Sequence, residues 1–132
     1  MTRATRVALA LVAVTLTGGF AVAATLDAHP DGLGTHEQLG LPPCAIRTLT
    51  GSPCPGCGLT TSITHVAHGR VLTAWQVQPV GVFIAAASLI AIIVCGEAAI
   101  RGRWRLPIDP LATAVVAVWT VNAVMLGRWL IS

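Results

Sequence analysis

The sequence predicts an all-α integral membrane protein: a bundle of three transmembrane helices with a short interfacial or re-entrant helix between the first and second. Three observations predict it. Hydrophobic residues make up 55% of the 132 and charged residues only 10%, whereas a soluble domain carries about 25% charged residues to cover its surface. Three apolar runs, at 7–26, 80–100 and 111–131, each supply about 30 Å of helix, the thickness of the hydrocarbon layer. All eight basic residues are arginines, and most flank those runs. The length suits one membrane domain, 1–132.

The first run follows a basic head with Arg3 and Arg6, and Val7 to Leu26 holds no charge. It reads as a retained span. A cleaved signal peptide is the competing reading, because Ala21-Val22-Ala23 fits a small-x-small cleavage site. Asp27 to Pro43 is a polar Gly/Pro-rich linker with no sustained period. Its His29 and His36 read as solvated loop histidines.

The outer segment, 44–69, is rich in cysteine. Within it, Thr50 to Thr60 packs two cysteines, two prolines and three glycines into TGSPCPGCGLT. Leu59 to His68 then reads as a short helix, with Leu59, Ile63 and Val66 or Ala67 on one face and Thr61, His65 and His68 on another. It is too short to span a bilayer, and Gly69 can end it in a left-handed conformation. Arg70 to Gln78 is a second short amphipathic piece, with Trp75 as an interface anchor.

Pro79 suits the first turn of the second span. Near that span's end, Glu97 and Arg101 stand i, i+4 and predict an ion pair. Cys95, inside the apolar helix, reads as buried and inert. A basic loop, Arg101 to Pro110, leads into the third span, where Asn122 calls for a hydrogen-bond partner on a neighbouring helix.

Arginine distribution sets the expected orientation. The head carries two arginines and the Arg101–Arg105 loop three, against two in the fifty-three residues from Asp27 to Pro79. The positive-inside rule then places the head and the loop in the cytoplasm of a multi-pass plasma-membrane protein, with the cysteine segment and the C-terminus outside. Thiols there meet an oxidising environment. No basic stripe with interleaved aromatics points to nucleic acid, and no phosphate loop, nucleophile elbow or carboxylate pair points to an enzyme. The expected partners are the lipid bilayer and a further membrane protein or a second copy.

Three readings of the cysteines stand side by side. As a structural element, a disulfide from Cys44 to Cys54 or Cys57 closes a loop of about ten residues, worth roughly 2 to 3 kcal/mol. As a redox site, Cys54-Pro-Gly-Cys57 is a C-x-x-C, and the helix starting after Cys57 favours a Cys57 thiolate. As a metal site, C-P-G-C-G is shaped like a zinc-ribbon knuckle, with Cys44, Cys54, Cys57 and His68 as the ligand set. Against the histidines, an unbroken helix puts His65 and His68 about 12 to 16 Å beyond Cys57. Sulfur separations discriminate the readings: about 2 Å for a disulfide, and about 3.5 to 4 Å for shared tetrahedral zinc ligation. The function expected on balance is structural or partner-binding, with thiol redox or zinc binding as the alternative.

Cys44, the run Thr50, Gly51, Pro53, Cys54, Pro55, Gly56, Cys57, Gly58, Leu59, Thr60, the His68-Gly69 pair and Pro79 together resemble the bacterial membrane proteins known as domain of unknown function 2752. The resemblance covers about Cys44 to Val80 and the membrane spans around it, and implies a small multi-span protein with no activity to carry over. Two departures stand out. Thr61 occupies a position where the family commonly has arginine, and Gln78 one where it commonly has asparagine before the proline.

Overall fold

The computed structural model describes residues 1–54 and 56–131, with the backbone alone for Leu111, Ala114 and Val115. Pro55 of the motif lies outside the described residues. The described residues form helices and no strand: α1 (Arg3–Thr25), a 3₁₀ turn (Thr35–Leu39), α2 (Ala45–Thr50), α3 (Leu59–Ala67), α4 (Val71–Val77), α5 (Pro79–Arg101) and α6 (Pro110–Ile131). Two of them, α1 and α5, are long and apolar enough to cross a membrane, and Val116–Ile131 within α6 is a shorter apolar stretch. The elements expected at 59–68 and 70–78 are present as α3 and α4. The 3₁₀ turn and α2 were not expected; they form inside stretches that lack a sustained apolar period.

α1 and α5 run antiparallel. Leu9 meets Cys95 and Ala98, with Ala13, Ala99 and Trp104 packed around them. Ala98, 3% exposed, is the small residue of α5 at this contact. Cys95 is buried there, as an apolar position predicts. A polar clamp holds the same end. Arg6 donates from Nε and Nη2 to the Ala99 carbonyl at 3.1 and 3.0 Å, and from Nη2 to the Ile100 carbonyl at 3.3 Å. These are the carbonyls that a helix leaves unpaired in its last turn. Glu97 pairs with Arg101 as expected, at 3.2 Å, and also with Arg105 at 3.2 Å. The head and the 102–109 loop therefore lie together at one end.

At the opposite end, α3 packs against α1, α4, α5 and the 3₁₀ turn. Its interior is polar. Thr61, Ser62 and Thr64 are fully buried and His65 nearly so. Thr61 and Thr35 hydroxyls share a 2.7 Å hydrogen bond, and Thr35 Oγ1 also accepts the His29 N–H at 3.0 Å. Ser62 Oγ donates toward the Ala74 and Gln78 carbonyls at 3.0 and 2.9 Å. That contact joins α3 to the α4–α5 corner and needs glycine at 81. A Cβ there would stand 2.6 Å from Ser62 Cβ and Oγ. The expected stop at Gly69 is present: it takes φ +75°, and the Arg70 N–H bonds the His65 carbonyl at 2.8 Å.

Two expectations for this framework change. Asn122 finds its partner within its own helix, donating to the Val118 carbonyl at 2.8 Å, and its side chain is exposed. The apolar set Leu59, Ile63, Val66 and Ala67 is only half-buried, while Thr61 and His65 turn inward and His68 stays exposed.

Candidate thiol site

The cysteine loop is built from two short helices and the turn between them. After Pro42-Pro43, Cys44 sits at the N-cap of α2, and the Thr48 N–H bonds its carbonyl at 2.9 Å. α2 ends at Gly51, whose positive φ lets its N–H reach the Arg47 carbonyl at 2.9 Å. Thr50 Oγ1 then accepts the Ser52 N–H at 3.3 Å, which braces the reversal. Pro53 leads into the second turn. There the Cys57 N–H donates to the Cys54 carbonyl at 3.0 Å, and the Cys54 N–H points at Cys57 Sγ at 3.2 Å. Gly58 caps α3 with φ +85°; a Cβ on it would meet the Gly32 carbonyl at 3.1 Å. The motif glycines thus fold the chain back tightly enough for three sulfurs to converge.

Cys54 Sγ and Cys57 Sγ are 3.1 Å apart. With Cys44 Sγ, all three lie within 4.8 Å of one another. Among the described residues no pair is at disulfide distance, and all four cysteines are free thiols. The expected Cys44 disulfide is therefore replaced by a three-thiol cluster. The spacing also departs from ideal zinc ligation, with one sulfur pair closer than 3.5 Å.

Proton affinities divide within the cluster. The Arg47 N–H, helped by the Cys54 thiol and then by Cys57 and the Ile46 N–H, draws Cys44 down to about 7 against a mild opposing effect of burial. Burial, followed by the Cys54 side chain, pushes Cys57 up to about 12. The thiolate expected at Cys57 from the α3 N-terminus is instead favoured at Cys44. Cys57 Sγ turns back toward Cys54, and the N-terminus that matters belongs to the unforeseen α2.

The remaining sequence candidates lie apart from the sulfurs. His68 Nε2 is 3.0 Å from the Ala24 carbonyl and its Nδ1 3.2 Å from Arg70 Nη2. Neither His65 nor His68 joins the three-cysteine group. His65 lines a separate cavity of about 670 Å³ with His29, Asp31, Arg70, Thr73 and Gln76. Burial there holds its imidazole below the usual range. Thr60 lies on an apolar groove between α1, α3 and α5, and Pro79 opens α5. Thr61, one of the two departures, fills its position with the neutral Thr35 hydrogen bond.

The part of α6 in the site has no local signal in the residues themselves. Trp129 Nε1 donates to the Pro53 carbonyl at 3.1 Å, and a cavity of about 210 Å³ beside Cys54 and Cys57 is walled by Met125, Arg128 and Trp129. Tryptophan and arginine at a helix end read as interface anchors, which hides a contact made across the fold.

Residues 44–92 match the model of a family described as a protein of unknown function, DUF2752. No curated protein and no solved structure gives a match.

Proposed function

We propose that this DUF2752 family member is a multi-pass membrane protein whose cysteine loop holds one thiophilic metal ion, zinc in the first instance, at Cys44, Cys54 and Cys57. One observation carries the reading: three sulfurs from two separate turns lie within 4.8 Å with no bond between them. Unpaired thiols gathered so closely repel once ionised, and a bound cation turns that repulsion into attraction. Cys44, whose proton affinity is drawn down, would bind first, and metal binding would release the thiol protons that remain. Bound metal would tie the α2 turn to the start of α3, so the role remains structural, with the clamp made by a metal in place of a disulfide.

In this reading α1 is a retained span, since it supplies Leu9 to the core and Arg6 to the end of α5. α6 makes the third crossing, and the arginine asymmetry places the cysteine loop outside the cell. A second reading, thiol–disulfide exchange, is favoured by the 3.1 Å approach of Cys54 and Cys57. Full-length protein purified without added reductant, in mild detergent and free of imidazole, separates the two. The metal reading expects about one equivalent of zinc, lost when the three cysteines become serine. Less than about a tenth of an equivalent, with Cys54 and Cys57 blocked to alkylation until reductant is added, would replace it with the redox reading.

A further inference from the structure

The geometry points to Met125 on α6 as the fourth donor of the cysteine site, making it an all-sulfur site that prefers monovalent copper to zinc. This inference rests on the three-thiolate reading above and names the ion and the missing ligand.

The cavity beside Cys54 and Cys57 lies where a fourth ligand would enter. Its other walls are Leu33, Pro53, Val77, Gln78, Met125, Arg128 and Trp129. No histidine and no carboxylate is among these lining residues, so the usual partners that complete a zinc site are missing from it. The strongest remaining donor for a thiophilic ion is the Met125 thioether. Its methyl group stands 3.7 Å from the point where a Cβ on Gly56 would be, and Cys54 Sγ stands 4.0 Å from the same point. The Met125 methyl and the Cys54 thiol thus approach Gly56 together, at a residue with no side chain of its own.

α6 is held in position for this. Met125 and Trp129 are i, i+4 and share a helix face, and Trp129 is fastened to the Pro53 carbonyl next to Cys54. Met125 is half-buried although most of its helix is exposed. Thioether sulfur is a soft donor suited to monovalent copper, whereas zinc takes imidazole, thiolate or carboxylate. Three thiolates and one copper(I) ion carry two negative charges, and Arg128, a residue of the same wall, brings a positive charge to the neighbourhood.

The test uses reduced full-length protein in detergent under anaerobic conditions. Copper(I) and zinc(II) affinities are measured separately by competition with chromophoric chelators. Met125→Leu keeps the packing volume and removes only the thioether. The expected result is a copper(I) affinity about tenfold or more weaker in Met125→Leu, with zinc affinity changed less than about twofold. Sulfur coordination seen by X-ray absorption should fall from four to three in the same variant. Equal copper(I) affinity in both proteins overturns the assignment of Met125 while leaving the three-thiolate site in place. A wild-type protein that binds neither ion overturns both.

Discussion

The two ends of the helix bundle solve the problem of burial in opposite ways. Where the head meets the 102–109 loop, the interior is apolar: Leu9, Cys95 and Ala98 pack together, and the polar groups, Arg6 and the Glu97–Arg101–Arg105 set, work around the edge. At the cysteine end, the interior is polar. Thr35, Thr61, Ser62, Thr64 and His65 are buried, and apolar side chains such as Leu72 and Phe83 lie outside. The first end gains from close packing of small residues. The second gains from hydrogen bonds that hold a particular arrangement of short helices, none of which has the length to be stable alone. A loop that must bring three sulfurs together needs the second kind of interior, because directional bonds fix geometry where non-directional packing does not.

That contrast can be broken at its tightest point first. Gly81→Ala forces a Cβ into Ser62 and should cost about 2 to 3 kcal/mol, measured by denaturant unfolding in detergent micelles. Ser62→Gly removes the obstructing atoms, so it should erase more than half of the Gly81→Ala penalty. Strict additivity of the two substitutions would show that the clash is not what matters there. Next, Thr61→Val takes away one partner of a buried hydroxyl pair and should cost about 1 to 2 kcal/mol. A cost near zero would mean that water satisfies Thr35 and that the polar interior is not sealed. The smallest effect belongs to the other end. Glu97→Gln breaks two exposed ion pairs and should cost about 0.5 kcal/mol, less in high salt. A loss comparable to that of Thr61→Val would make the charged edge as structural as the polar core.

The long helices were legible because hydropathy and length alone specify them. The ranges 7–26, 80–100 and 111–131 differ from the observed helices by at most four residues at an end. The stop at Gly69 was legible too, since glycine there answers to backbone geometry and little else. Side-chain direction in α3 was not legible. Next to apolar surroundings the usual sign of amphipathicity inverts, so Thr61 and His65 turn inward where a water-soluble helix would have turned Leu59 and Ile63. α2 escaped notice because six residues, Ala45–Thr50, are too few to show a period. With α2 missed, the low proton affinity of Cys44 had no visible cause. The part played by Met125 and Trp129 depends on where α6 lies relative to the Pro53 turn, which is tertiary information that no local pattern holds.

The grip of Arg6 on the Ala99 carbonyl spans a separation of 93 residues, and this bears on how the protein is made. α1 leaves the ribosome early, with a guanidinium that has no protein partner. α5 arrives later with the last-turn carbonyls that it will use. Each helix carries half of one polar joint, so the joint can close only once α5 has been made. A chain halted before Ala99 would leave Arg6 without the carbonyls that it grips.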